Sequence, residues 1–216
     1  MDEFLLRYNK KVKYIILDTE TFSLNLSFKF NRPWQIATLK VLGDKIVEKK
    51  DIHIDWSKVA PNLKIGSQAA LITHYNESKE KSISIQPEEA FNLFWNDLIE
   101  CQHLIMHNGL NFDIYLLRGY AEYMGVPWKF LVDKMIDTNA IAKGIKLGIP
   151  YTPEQGNFIE YQYRMSRVVK KGLKSSIKTL CTEFGFEYDE NAAHDGLYDV
   201  YKNKEIWDKL KFSIEI

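Results

Sequence analysis

The 216 residues carry 29 Lys+Arg against 29 Asp+Glu, a formal net charge of zero. That balance speaks against a chain that grips nucleic acid chiefly by neutralising phosphates, and equally against an acidic solvating chain. With 45% apolar and 13% aromatic residues, the composition is that of a folded globular protein, and the length suits one domain spanning residues 1–216.

The lead-in, Met1 to Lys13, mixes charges with short apolar runs and has no signal-peptide core. No apolar stretch reaches the ~18 residues of a membrane span. Cys101 and Cys181 stand far apart with no pairing or C-x-x-C pattern, which argues against a disulfide scaffold or a thiolate zinc site. A soluble, cytoplasmic protein with no membrane partner is expected.

In chain order, Val12 to Leu17 predicts a strand buried on both faces and ending at Asp18. Strands follow over Trp34 to Leu42 and Lys45 to Ile54, with Gly43-Asp44 as the turn between them. The polar stretch from Lys58 to Gln86 holds one short helix, Ser67 to His74, and is otherwise loop. Pro87 opens a helix whose Phe91, Phe94, Trp95 and Leu98 form an apolar stripe. Cys101 to His107 predicts a strand, followed by a helix from about Phe112 to Gly125. A further strand-then-helix pair falls around Leu131 to Ile145, and Gly148 to Tyr163 reads as loop. Two helices close the chain, Ser176 to Phe184 and Asp195 to Leu210. Strands first, then alternating strands and helices, predict an α/β domain with a mixed sheet.

Three segments could carry chemistry. Asp18 and Glu20, two apart at a strand end, would lean into one cavity, as a shared cation requires. An apolar strand delivers both to the edge of the core, where unpaired charges are costly. In His107-Asn108-Gly109-Leu110-Asn111-Phe112-Asp113 a buried strand again runs into polar residues. If Asn111 caps the next helix, Asp113 lies in its first turn. His107 reads as a structural histidine, and Asn108 either holds a sugar or phosphate oxygen or forms the turn. In His194-Asp195-Gly196-Leu197-Tyr198-Asp199, positions five apart differ by about 140° on a helix. His194 and Asp199 therefore share a site only if Asp195 is the N-cap and His194 precedes the helix. A histidine beside a carboxylate cluster that raises its basicity suits a general base near neutral pH. Oxygen ligands without thiolates suit Mg²⁺ or Mn²⁺ rather than Zn²⁺, and paired ions about 4 Å apart are the known device for in-line attack on a phosphodiester.

Leu-Asp18-Thr-Glu20-Thr, His-Asn108-x-x-x-Phe-Asp113 and His194-x-x-x-x-Asp199, in this order, resemble the three motifs of the DEDD superfamily of 3′-to-5′ exonucleases in its histidine-containing branch. That branch includes the proofreading subunit of the bacterial replicative DNA polymerase, ribonuclease T and oligoribonuclease. Pro33 to Ala37, Ile72 to His74, Ile136 to Thr138 and Ser176 to Cys181 resemble its flanking segments, so the likeness covers nearly the whole chain. The resemblance implies a ribonuclease H-like fold, a central mixed β-sheet flanked by helices, and hydrolysis with two Mg²⁺ or Mn²⁺ ions. Asp18 would bridge both ions, Glu20 and Asp199 complete the first, Asp113 hold the second through water, and His194 deprotonate the attacking water.

Two departures stand out: an extra residue between Asn108 and Phe112, and Phe22-Ser23-Leu24 where many relatives have a small residue. Thr19, Thr21, Phe22, Asn108 and Phe112 become candidate substrate contacts. For Phe22, Trp34 and Phe112, stacking on a base and packing in the core are equal alternatives. From Tyr161 to Thr182 six basic residues and no acid occur. Of these, Arg164, Arg167, Lys171 and Lys174 are candidate phosphate contacts, against the alternative of a solvated face.

The implied activity is release of nucleoside 5′-monophosphates from single-stranded or frayed DNA 3′ ends. The alternatives are an exoribonuclease that trims RNA ends or short oligoribonucleotides, and a non-catalytic nucleic-acid-binding protein of the same fold. A polymerase or another replication or repair protein is a candidate partner.

Overall fold

The structure, a computed structural model, describes residues 5–216. The first part of the lead-in, residues 1–4, lies outside the described residues. Five strands, β1 (Lys13–Thr21), β2 (Pro33–Leu42), β3 (Lys45–His53), β4 (His103–Met106) and β5 (Met135–Asp137), form one sheet in the order β3-β2-β1-β4-β5. The first three make an antiparallel meander, and β4 and β5 add in parallel on the other side of β1. This is the mixed, helix-flanked α/β arrangement expected of a ribonuclease H-like chain. The helices are α1 (Ser67–Ile72), α2 (Glu77–Ile83), α3 (Pro87–Glu100), α4 (Asp113–Tyr123), α5 (Phe130–Lys134), α6 (Thr138–Lys146), α7 (Phe158–Ser166), α8 (Ile177–Phe184) and α9 (Gly196–Leu210).

The strand β1 is the hub. Its alternating side chains serve two apolar clusters, one per face: Ile15 and Leu17 pack with Phe94, Leu98 and Leu117 of α3 and α4. Tyr14 and Ile16 pack with Ala140, Val200 and Trp207 of α6 and α9. Because side chains alternate along a strand, Asp18 and Glu20 continue the α9 row and Thr19 the α4 row. The chemistry at the end of β1 is therefore set by which helix covers each face.

Several elements differ from the sequence expectation. The first strand does not stop at Asp18 but pairs with β2 through Thr21, with a register shift between Glu20 and Thr21. The stretch expected to be mostly loop contains α2, whose buried residue is Glu80, so no apolar stripe announces it. It is held instead by the Asn76 cap on Lys79 N and a Glu77–Lys81 pair one turn apart. Likewise α7 takes up the last part of the expected loop at 148–163. Its Asn157 side chain caps Ile159 N and Glu160 N, and its buried face includes the polar Gln162. A short helix, α5, stands where the strand around Leu131 was expected to begin. Both cysteines are free and buried. No helix among the described residues is long and apolar enough to cross a membrane.

Candidate active site

At the end of β1, Asp18 stands opposite Ala37 and Glu20 opposite Gln35. Glu20 is 7% exposed and Asp18 half-buried. On the other face Thr19 donates its hydroxyl to Asp113 Oδ1 at 2.6 Å, which ties the second acidic segment to the first. Asp113 does open α4, but Asn111 is not the cap. The N-cap position is Phe112 with no side-chain bond, while Asn111 Nδ2 donates to Asn108 Oδ1 and braces the turn.

Asn108 takes a left-handed conformation (φ 64°), which Asn tolerates better than most residues. Its N–H and that of Leu110 both donate to Asp137, a fully buried carboxylate at the end of β5 that also caps α6 through Ala140 N. A Cβ on Gly109 would fall 2.5 Å from Met106 Cβ, so the turn closes only with glycine there. Asn108 thus forms the turn. His107 is bound to Thr138 and Asn139 at the start of α6, and burial lowers it to about 4, which fits its structural reading.

The third segment is built as expected. Asp195 caps α9, accepting from Leu197 N and Tyr198 N, so Asp199 falls in the first turn and His194 just before the helix. Asp199 Oδ2 accepts from His194 N at 3.1 Å. Its Oδ1 is buried without a partner among the described residues. Gly196 lets the helix start lie directly on the sheet, since a Cβ there would meet Ala37 Cβ at 3.2 Å.

Two further groups hold this turn, and the sequence did not single them out for the task. Gln35 Oε1 accepts from Gly196 N at 3.4 Å while Gln35 Nε2 donates to Asp51 at 2.8 Å. Behind Asp51 lies His53, bound also to Glu80 at 2.7 Å. Burial alone would lower the pKa of that imidazole, but the hydrogen bonds to Asp51 and Glu80 outweigh it and raise it to about 9. From the other side, His74 Nε2 donates to Ala193 O at 3.1 Å, from a backbone with φ 54°. His74 was visible only as part of a flanking segment, because its partner lies more than a hundred positions away in sequence.

Glu20, His194 and Asp199 each offer a ligand atom, all within 4.8 Å of one another, so this group is placed to hold a metal ion. Electrostatics point the same way. Burial first, then the like charges of Asp113 and Asp199, raise Asp18 well above the carboxylate range. Burial and its acidic neighbours, Asp18 foremost, take Glu20 to about 10. Asp113 and Asp199 are raised to about 6 by burial, against hydrogen bonds from Thr19 and His194 N that pull them down. No Lys or Arg among the described residues forms an ion pair with any of the four. Their oxygens, including the orphaned Asp199 Oδ1, suit a hard divalent cation. The expected rise in His194 basicity is not found: partial burial and the neighbouring His74 lower its pKa instead.

The remaining candidates scatter. Phe22 and Trp34 are buried, both against Tyr75, so they sit in the core, while Phe112 is half-buried. Thr21 donates to Ser23 O. Arg164 and Arg167 lie exposed on α7 and its end, and Lys171 and Lys174 in the following loop. Lys178 is drawn away to Glu190 at 2.7 Å.

A mixed five-stranded sheet with acids gathered at the end of its central strand defines an α/β chain of ribonuclease H-like fold. Neither protein-family models nor curated proteins give a match to the sequence. Among solved structures the chain is similar to E. coli exonuclease I. The zinc-bound form of its complex with single-stranded DNA aligns with a TM-score of 0.72 and 16% identity, over 94% of this chain and 41% of that one. The complex with a dT13 oligonucleotide aligns with a TM-score of 0.69 and 17% identity, over 94% and 42%. The product-bound form gives a TM-score of 0.69 and 16% identity, over 94% and 44%. The chain thus spans about two-fifths of the exonuclease I chains it matches, and at this identity the likeness establishes the fold.

Proposed function

We propose that this chain is a metal-dependent 3′-to-5′ exonuclease of the histidine-containing DEDD kind, releasing nucleoside 5′-monophosphates from single-stranded or frayed DNA ends. The observation that carries the reading is the convergence of Glu20, His194 and Asp199 within 4.8 Å, at the same strand end as Asp18 and the Thr19–Asp113 bond. The single-stranded DNA in the exonuclease I structures supports DNA as the substrate.

Asp18, Glu20 and Asp199 would hold one divalent ion, and Asp18 with Asp113 a second. Bound there, Mg²⁺ or Mn²⁺ supplies Lewis-acid activation of water and stabilises charge on the phosphate. The chain's own part begins with His194, exposed at the rim and neutral near pH 7, which takes the proton of the attacking water on a ring nitrogen. The water oxygen bonds to phosphorus, and the bond from phosphorus to the 3′ oxygen of the preceding nucleotide breaks. That oxygen takes up a proton, leaving a nucleoside 5′-monophosphate and a chain one nucleotide shorter with a free 3′ hydroxyl. Thr19 fixes the Asp113 carboxylate, and the bonds from Gln35 and His74 fix the backbone on either side of His194.

Single-stranded DNA, duplex DNA with a mismatched 3′ end, and RNA of the same sequence, each 5′-labelled, are incubated with Mg²⁺, Mn²⁺ or EDTA. A ladder that shortens from the 3′ end of DNA and stops in EDTA is expected. Cleavage that persists in EDTA, or internal cuts alone, would overturn the reading.

A further inference from the structure

The loop between α7 and α8 and the end of α6 form an open groove lined by Lys146, Lys170, Lys171, Lys174, Thr179 and Glu183. Only one of these cations is neutralised: Lys146 lies 2.6 Å from Glu183. Lys170, Lys171 and Lys174 form no ion pair among the described residues and are exposed. The groove therefore holds three uncompensated positive charges in a chain whose net charge is zero.

The loop is held in place rather than free. Lys143 Nζ donates to Ser166 O at the end of α7, and Lys146 Nζ to Lys174 O and Asn139 Nδ2 to Ser175 O, so α6 fastens both the start and the end of the loop. Asn139 also contacts His107, whose neighbour Asn108 begins the turn leading to Asp113. The start of α6, capped by Asp137, thus packs on the turn that leads into Asp113, and its other end lines the groove. At 1.5 Å per residue its nine residues span about 13 Å, the length of roughly four nucleotides at 3.4 Å each in a stacked strand.

We infer that this groove is a backbone track for the single strand, in which Lys170, Lys171 and Lys174 neutralise phosphates a few nucleotides upstream of the 3′ terminus. The inference rests on the proposed exonuclease reading and adds to it a reason for the enzyme to prefer strands longer than the few residues its catalytic site can hold. It also revises the basic segment seen in sequence: Lys178 leaves it for Glu190, and Lys146 flanks the groove from another helix.

The test compares the wild type with the triple variant K170Q/K171Q/K174Q, on a dinucleotide and a dodecamer of thymidylate. The wild type is expected to show kcat/KM at least tenfold higher for the dodecamer, and the variant a ratio near one. The salt slope of dodecamer binding should fall by about 2, from ~0.7 per lost phosphate contact. An unchanged ratio and slope in the variant overturn the groove assignment. If the wild type cleaves neither oligomer, the catalytic reading has failed. Fluorescence anisotropy of the labelled dodecamer in EDTA then judges the groove alone, the same fall in slope supporting it and an unchanged slope refuting it.

Discussion

Replacing Asp18 by Asn should make the metal-free protein more stable while removing its response to divalent ions. Asp113 and Asp199 are raised to about 6, roughly two units above an ordinary aspartate, so ionising each in the fold costs on the order of 3 kcal/mol at pH 7. The sign follows from linkage: the folded state binds these protons more tightly than the unfolded one. Stability therefore falls as pH rises from about 4 through about 6. Burial is the largest cause at Asp18 too, so without metal its carboxyl, unlike an Asn amide, must take up a proton on folding. Its neutralisation should relieve about 1 kcal/mol, or about 2–4 °C in Tm for a chain of this size. Thermal melts by circular dichroism at pH 8 in EDTA and in excess Mg²⁺ provide the assay. In EDTA the variant should melt above the wild type, and that gap should narrow at pH 5. In Mg²⁺ the order should reverse, because an ion at about 100 times its Kd stabilises the wild type by ~2.7 kcal/mol. A variant that melts lower in EDTA and responds to Mg²⁺ like the wild type would refute the repulsive-cluster account.

Gly196→Ala brings a Cβ to 3.2 Å from Ala37 Cβ and lifts the start of α9, so both His194 and Asp199 shift; kcat should fall at least tenfold while the Tm changes by only a few degrees, read by steady-state kinetics beside a melt. Asp137→Asn leaves one oxygen where two accept backbone N–H groups of the Asn108 turn and α6, and should cost about 1–3 kcal/mol in urea unfolding. Gln35→Leu removes the acceptor of Gly196 N and leaves Asp51 to His53 alone; it should lower kcat more than it raises KM, whereas equal activity to wild type would remove Gln35 from the positioning of α9.

What the sequence made legible is what is encoded locally. The cap at Asp195, the stripe of α9 and the alternation of β1 each depend on residues within a few positions, while the joining of Asp18 and Glu20 with His194 and Asp199 was implied by the family resemblance. The structure sets Glu20, His194 and Asp199 within 4.8 Å and Asp18 close enough to Asp199 to feel its charge. What it hid depends on distant partners. The buried side chain of α2 is a carboxylate whose burial makes sense only once His53 is seen beside it. Gln162 of α7 breaks the apolar stripe because it binds Asp137 N and Met135 O. The fall in His194 basicity comes first from partial burial and then from a second imidazole, His74, neither of which is visible in the residues around it in sequence.

The net charge of zero is the clearest case of a global quantity that conceals a local one. Charges that cancel in pairs, such as Lys40 and Lys50 with Asp97 or Lys211 with Asp44 and Asp208, contribute stability and little field. Among the charges outside such pairs are the four acids at the end of β1 and the three lysines of the groove beside the end of α6. Opposite signs about one helix apart suit a polyanion whose terminal phosphate meets cations held by acids while the phosphates behind it meet lysines directly. A uniformly basic surface would bind the whole strand without favouring its end, whereas in the proposed arrangement the terminus would be the position where both halves act together.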